Sequence, residues 1–255
     1  TDPAPPLLSD SEPALTPPTL PTEDAPEQSV LPMPEERGLA PLLADTRAAL
    51  GALDPKRALA AIEQVVARYE AERQAIPADV QFAELQALDL SGQFERAYTS
   101  VKALIDDGTF EHHYGARLLA AQLANFLSKA PSGEQLEHLT AAISIDPARH
   151  EALTRRGLLL LLSGQRDRGT CREDLQFAVE QAPQSPEALR NLALLRMEDA
   201  LSQPTNRERL IGELEVLVAR ALAANPEFSS GYALRGWAQG QRRKTKEQSE
   251  SRLRA

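Results

Sequence analysis

The sequence predicts an all-α solenoid, in which helix-turn-helix repeats stack side by side, preceded by a disordered proline-rich segment. Aromatic residues make up 4% of the 255 residues, and alanine and leucine are abundant, which favours helices over sheets. From Gly38 onward, segments rich in Ala, Leu, Glu and Arg are interrupted at short intervals by Pro, Gly or Asn, as in helices with short connections. One pattern of proline and small residues occurs three times.

Residues 1–37 have the composition of a disordered linker. They contain ten of the nineteen prolines, and their eight acidic residues against one basic residue account for most of the net charge of −9. They show no apolar period of a strand or helix, so we expect an extended, acidic spacer. The alternative is a recognition motif, since TPPTLP at residues 16–21 offers prolines to an aromatic groove.

Residues 38–255 are the predicted helical-repeat domain. Apolar residues recur at helical spacing, for example at Ile62, Val65, Val66 and Tyr69, so each helix carries one apolar stripe and needs a neighbour. Antiparallel stacking of consecutive helices supplies that neighbour. The predicted helices span residues 39–53, 56–74, 79–91, 94–107, 110–129, 133–145, 149–163, 168–181, 186–201, 206–224 and 229–248.

The repeated pattern predicts where three of these helices end. Pro147, Pro183 and Pro226 are 36 and 43 residues apart, and each stands five residues after one small residue and ten before another. The small residues are Ala142, Ala178 and Ala221 before the prolines, and Gly157, Ala193 and Gly236 after them. Proline cannot continue the helical ladder, and it pushes the preceding residue out of helical geometry. The later small residue marks a close approach of the next helix.

These residues resemble the tetratricopeptide repeat (TPR) family, whose helix pairs recur about every 34 residues. In the best copy, Gly157 takes the small position of the first helix, Gly164 the turn, and Ala178 the small position of the second helix. Pro183 ends that second helix, and Cys171 fills its other small position. The resemblance implies a right-handed superhelical α-solenoid.

An earlier unit carries the turn of the family in SGQFERAY, at residues 91–98. Gly92 opens this turn, Phe94 packs over it and Ala97 allows close contact. The sequence departs from the family at three places: the predicted helix 110–129 lacks clean small-residue spacing, the unit around residues 51–74 matches poorly, and residues 202–209 are inserted. The resemblance therefore covers residues 78–240.

The resemblance also implies a partner site, because the first helices of TPR repeats form a concave wall that binds a peptide or helix of another protein. Carried over to this sequence, the wall consists of Arg155, Leu158, Leu161, Arg190, Asn191, Leu194, Met197 and Trp237. The alternative is that its aliphatic residues simply pack between repeats. Trp237 is the sharpest candidate, since a lone tryptophan in an aromatic-poor chain can anchor an interface. In a terminal repeat, a tryptophan can equally cover the core.

The sequence gives no pattern for a catalytic residue, a metal or a cofactor. The four histidines lack the spacing of known ligand sets and are expected at the surface or hydrogen-bonded. They are His112, His113, His138 and His150. Cys171 is expected to be a packed thiol, and SGQRDRGT at residues 163–170 lacks the ending of a phosphate loop.

Two acidic pairs are expected on solvated helix faces rather than in acid–base catalysis. They are Glu173 with Asp174, and Glu198 with Asp199. The basic residues 241–255 have a net charge of +4 but no interleaved aromatics, so we expect a solvated helix and no nucleic-acid site. No apolar run of about 18 residues is present, so we expect no direct membrane insertion within this chain.

Together these features predict a non-enzymatic scaffold that holds a partner protein in a larger assembly. A proline-rich stalk joined to TPR repeats is met in bacterial envelope machinery for secretion, pili, polysaccharide export or cytochrome maturation. The chain begins without methionine, which favours a processed form whose signal or anchor lay upstream, in a periplasmic or membrane-anchored protein. The alternatives are a regulatory subunit of an enzyme complex and a cytoplasmic secretion chaperone. A further hypothesis is that the acidic segment folds back onto Arg155, Arg190 and Arg235.

Overall fold

A computed structural model describes residues 36–127, 133–163 and 168–254 of the chain. Within these ranges the secondary structure consists of α-helices and one 3₁₀ turn, with no strand. The helices are α1 (Glu36–Gly51), α2 (Pro55–Ala71), α3 (Ala78–Leu90), α4 (Phe94–Asp106), α5 (Tyr114–Leu127), α6 (Gly133–Ile145), α7 (His150–Leu162), α8 (Arg168–Gln181), α9 (Pro186–Ser202), α10 (Arg207–Ala224) and α11 (Ser229–Arg254). Apart from the start of α1, the predicted linker lies outside the described residues, as does the predicted turn residue Gly164.

Each predicted helix is present, and α6 and α8 begin and end at the predicted residues. The two largest errors concern the end of α11, which was predicted at Gln248 and lies at Arg254, and the start of α5, which was predicted at Phe110 and lies at Tyr114. Phe110 is buried while still in the turn, so its apolar character reflects the core rather than a helix. His113 Nδ1 then accepts a hydrogen bond from the Ala116 N–H at 3.0 Å, which caps the first turn of α5.

Consecutive helices from α2 to α11 pack against one another, as in an α-solenoid. The closest pairs are α5 with α6, α7 with α8, and α9 with α10. Direct contacts also join α7 to α9 and α9 to α11. The first helices of successive pairs therefore lie side by side and form one layer.

The three repeated prolines end their helices in the same way. Asp146, Ala182 and Asn225 precede them, and each donates its backbone N–H to the carbonyl of the small residue four positions earlier, at 3.0, 2.9 and 2.9 Å. The carbonyl of each then accepts a bond from the N–H three residues later, which closes the turn. The sequence repeat is thus a repeat of backbone hydrogen bonding.

The inserted residues between the second and third prolines lengthen a helix pair. Helices α9 and α10 have 17 and 18 residues, whereas α7 and α8 have 13 and 14. Each helix of the longer pair therefore gains about one turn. The 3₁₀ turn Pro204–Asn206 joins them.

Close helix contact is confirmed at Gly157 but not at Gly236. A Cβ atom at Gly157 would lie 2.6 Å from side-chain atoms of Leu175 on α8. At Gly236 nothing lies within 4 Å of the corresponding position. The expectation for Gly236 is wrong because α11 is the last helix described and no second helix of a pair packs on that face.

Two of the acids predicted on solvated faces are buried. Asp174 and Asp199 are 4% and 2% exposed. Arg156 holds Asp174 through two hydrogen bonds of 2.7 and 2.8 Å, and Arg172 approaches Asp199 to 3.3 Å. The expectation is therefore wrong for these two carboxylates, because neighbouring helices bring arginines that sequence spacing does not reveal.

His138 also departs from expectation, since it is neither exposed nor hydrogen-bonded. It is 6% exposed on α6, and within the described chain neither ring nitrogen has a hydrogen-bond partner. Burial lowers the pKa of His138, and the charges of Arg117 and Lys102 act in the same direction. Glu134 and Glu137 oppose that shift.

Acidification is expected to destabilise the chain partly through His138. The unfolded histidine, with a pKa of about 6.5, binds a proton more readily than the folded one, so the free energy of unfolding falls as the pH drops below that value. One such group contributes a slope of at most about 1.4 kcal/mol per pH unit. Urea unfolding at about pH 7.5 and 5.5 tests this. Between these two pH values, His138→Leu should lose less unfolding free energy than the parent chain. The exposed control His112→Gln should lose as much as the parent. An equal loss in all three proteins contradicts the prediction.

Candidate functional site

A groove of about 770 Å³ lies across the first helices of the amino-terminal half of the domain. Phe82 and Asp89 of α3 form part of one wall, and Tyr114 and Gln122 of α5 form another part. Arg149, the residue before α7, closes one side. The groove thus lies on the layer formed by the first helices of successive pairs.

A second hollow of about 320 Å³ lies between α5 and α7. Gln122 lines both hollows, so the two adjoin at this residue. Phe126 lines the second hollow from α5, and Arg155, Leu158 and Leu162 line it from α7. We refer to the two hollows together as the inner groove.

A chain of hydrogen bonds crosses the inner groove at its centre, with one residue from each of three helices. Gln122 Nε2 donates to Asp89 Oδ2 at 3.2 Å, and Arg155 Nη1 donates to Gln122 Oε1 at 3.0 Å. Burial raises the pKa of Asp89, and the positive charge of Arg155 opposes that rise. Burial lowers the pKa of Arg155, because in both groups it disfavours the charged form. The groove therefore holds a negative and a positive group on opposite sides of a neutral amide.

Tyr114 and Arg149 form a part of the groove wall in which both side chains have several partners. The Tyr114 hydroxyl accepts a hydrogen bond from the Ala152 N–H at 3.1 Å and donates to Glu151 Oε2 at 3.4 Å. The Arg149 guanidinium lies 4.1 Å from the centre of the Tyr114 ring and 3.3 Å from Glu151 Oε1. Because Glu151 balances the charge of Arg149, this wall offers shape more than net charge.

Apolar side chains at the rim of the inner groove remain open to solvent. Leu53, Leu162 and Phe126 are 72%, 69% and 57% exposed. The Phe126 ring stacks on Phe94, with centroids 4.7 Å apart and planes 6° apart, so it is held in place. Exposed apolar groups that flank a groove are typical of a protein-binding surface.

The structure divides the predicted wall residues into two groups. Arg155 and Leu158 line the inner groove, whereas Leu161 is buried in the core. Asn191 is also buried, and its side chain donates to the Thr154 carbonyl at 3.1 Å and accepts from Arg190 Nε at 2.8 Å. Asn191 therefore joins α9 to α7.

The remaining predicted residues are Leu194, Met197 and Trp237. Each is half-buried and packs against the hydrophobic core of α7 to α11. This placement corresponds to the alternative stated in the sequence analysis, in which the wall residues pack between repeats. A role of these residues in partner binding stays a prediction.

Sequence reasoning missed the part of the groove that α3 and α5 supply. Asp89 could have been placed, because the Gly92 turn fixes which face of α3 points inward. Gln122 and Tyr114 could not, since α5 lacks the small-residue spacing that sets its rotation. The hydrogen bonds of Gln122 to α3 and α7 supply that missing information.

The described residues offer little reactive chemistry. Cys171 is buried, its thiol donates to the Gly157 carbonyl at 3.3 Å, and burial raises its pKa to about 11. Among the side chains that the structure describes, no three potential ligands from His, Cys, Asp and Glu cluster in a way that could hold a metal ion. None of the described helices combines the length and apolarity needed to cross a bilayer.

Comparison with known proteins gives a result at the level of structure only. No protein-family model matches the sequence, and no curated protein matches it. The TPR protein TTC0263 of Thermus thermophilus aligns over 80% of this chain and 98% of its own length, with a TM-score of 0.53 and 19% identity. The chain has a TPR fold.

Other solved structures agree with this TPR fold. MamA from Desulfovibrio magneticus RS-1, from residue 41 to its end, aligns over 73% of this chain and 97% of its own, with a TM-score of 0.56 and 16% identity. YrrB, described as a TPR protein with an unusual peptide-binding site, aligns over 79% of this chain and 94% of its own length, with a TM-score of 0.53 and 15% identity. The family resemblance drawn from the repeated residues is thus confirmed as a fold.

Proposed function

We propose that this chain is a non-enzymatic interaction scaffold that holds an extended segment of another protein in its inner groove. The observation that carries the proposal is a pair of adjoining hollows, lined by hydrogen-bonded polar groups and rimmed by exposed Leu53, Phe126 and Leu162. Fixed polar groups set the register of a bound chain, and apolar rim residues bury side chains. The peptide-binding site named for YrrB supports this use of the fold.

The setting that we propose is an assembly at the bacterial envelope. Its support is the proline-rich, acidic residues 1–37 ahead of the repeats, a composition that suits a spacer. A regulatory subunit of an enzyme complex and a cytoplasmic secretion chaperone are the alternatives. The identity of the bound partner distinguishes the three.

Site-specific photo-crosslinking in the source cells tests the scaffold function. A photoreactive amino acid replaces Leu53 or Leu162 on the groove rim, or Val216 as a similarly exposed apolar control on α10. We expect one discrete adduct from the rim positions and none from Val216. A probe at Trp237 tests the predicted second half of the wall. Absence of adducts at the rim, or the same adduct from Val216, contradicts groove binding.

A further inference from the structure

Two adjacent arginines on α7 differ in how their charges are balanced. Arg156 is paired with the buried Asp174 at 2.7 Å. Arg155 makes no ion pair with any residue in the described ranges, and it donates to the neutral amide of Gln122. Arg155 is therefore a cation whose directly hydrogen-bonded partner is uncharged, while the carboxylates of Asp89 and Glu151 act on it without an ion pair.

The hollow around Arg155 is partly apolar, and the amides of Gln122, Asn125 and Gln135 also line it. Leu158, Leu162 and Phe126 line the same hollow, and the last two are largely exposed. A guanidinium that is partly shielded from water gains more from a carboxylate than a fully solvated one does, because the attraction is less screened. Bulky apolar groups of a partner would bury the exposed surface of the neighbouring leucines and Phe126, which favours binding.

We propose that this end of the inner groove binds a partner segment in which an Asp or Glu side chain lies beside bulky apolar residues. The inference rests on the proposed function and names the chemistry of the segment. The carboxylate pairs with Arg155, and the apolar residues cover Leu158, Leu162 and Phe126.

The other end of the groove is unfavourable for a carboxylate of the bound segment. Asp89 and Asp146 line the larger hollow, and Arg149 in that hollow is already paired with Glu151. A carboxylate placed there would be repelled, so the Arg155 end is the favourable position. Because the two hollows adjoin at Gln122, a bound segment can extend from the Arg155 end toward the larger hollow. We therefore assign the carboxylate to a side chain within the segment rather than to a chain end.

Selection of random twelve-residue peptides displayed on phage, with the full 255-residue chain as bait, tests the proposal. We expect the selected peptides to combine Asp or Glu with Leu, Phe, Ile or Trp within a few residues. A synthetic peptide from the selection, amidated at its carboxyl terminus, then provides a binding probe for fluorescence polarisation. Arg155→Gln should weaken its binding about 10- to 100-fold, which is typical of losing a charge-assisted hydrogen bond. Arg155→Lys should retain part of it.

Matched variants separate this contact from general effects. Arg243→Gln removes an exposed charge on α11, and Val216→Ser removes an exposed apolar group on α10, so both should bind as the parent does. Leu162→Ser should weaken binding. Asp→Asn or Glu→Gln in the peptide should cause the same loss as Arg155→Gln, with little further loss when the two are combined.

The outcomes distinguish this inference from the scaffold function. If the selected peptides lack acidic residues but lose binding in Leu162→Ser, the carboxylate assignment is overturned and the proposal of groove binding stands. Binding that requires a free carboxyl terminus overturns the assignment to an internal side chain. Failure to select any peptide above a control bait overturns both.

Discussion

Replacing Arg156 with alanine is expected to lower the free energy of unfolding by about 3–5 kcal/mol. Arg156 Nε and Nη2 bind the two oxygens of Asp174 at 2.7 and 2.8 Å, and the two side chains are 16% and 5% exposed. Without the guanidinium, Asp174 remains a buried carboxylate with its main counter-charge removed. The large effect comes from this unpaired charge and exceeds the net contribution of the ion pair itself.

Urea unfolding, followed by circular dichroism, measures the loss. Arg155→Ala is the matched control, because Arg155 is the neighbouring arginine and makes a hydrogen bond to Gln122 but no ion pair in the described chain. It should lower stability by only about 0.5–1.5 kcal/mol. The double variant Arg156→Met with Asp174→Leu should recover much of the loss, since it removes both buried charges. A small effect of Arg156→Ala would contradict the buried pair.

Replacing Gly157 with alanine is expected to lower the free energy of unfolding by about 1–3 kcal/mol. The added Cβ would lie 2.6 Å from both Cγ and Cδ2 of Leu175, which is fully buried. Alanine favours a helix over glycine by about 1 kcal/mol, so the overlap has to exceed this gain. It does, because Leu175 is enclosed by the core between α7 and α9 and cannot move aside without displacing α8 from α7.

Gly236→Ala and Gly240→Ala are the matched controls for this prediction. Both glycines lie within α11, and nothing lies within 4 Å of a Cβ at either position. Alanine should therefore stabilise the chain by about 0.5–1 kcal/mol at each. If Gly157→Ala also stabilises it, α7 and α8 are farther apart than the structure has them.

The sequence by itself determined the helices, most of their ends and the TPR fold. The repeated prolines act within one turn of helix, so Asp146, Ala182 and Asn225 make the same terminal hydrogen bonds wherever the pattern occurs. The need for a small residue at Gly157 was also visible, because it recurs at fixed distance from those prolines. These features depend on local backbone chemistry, which short stretches of sequence contain.

Only the tertiary structure decided which helix faces meet, and hence where the groove lies. The buried state of Asp174 and His138, the open space at Gly236 and the bridge from Asp89 through Gln122 to Arg155 each depend on the rotation of one helix against another. Along the bridge, that rotation is set by contacts between residues 33 positions apart, and α5 carries no local marker for it. The physical reason is that side-chain packing between helices, and not helix propensity, fixes which polar groups face the groove.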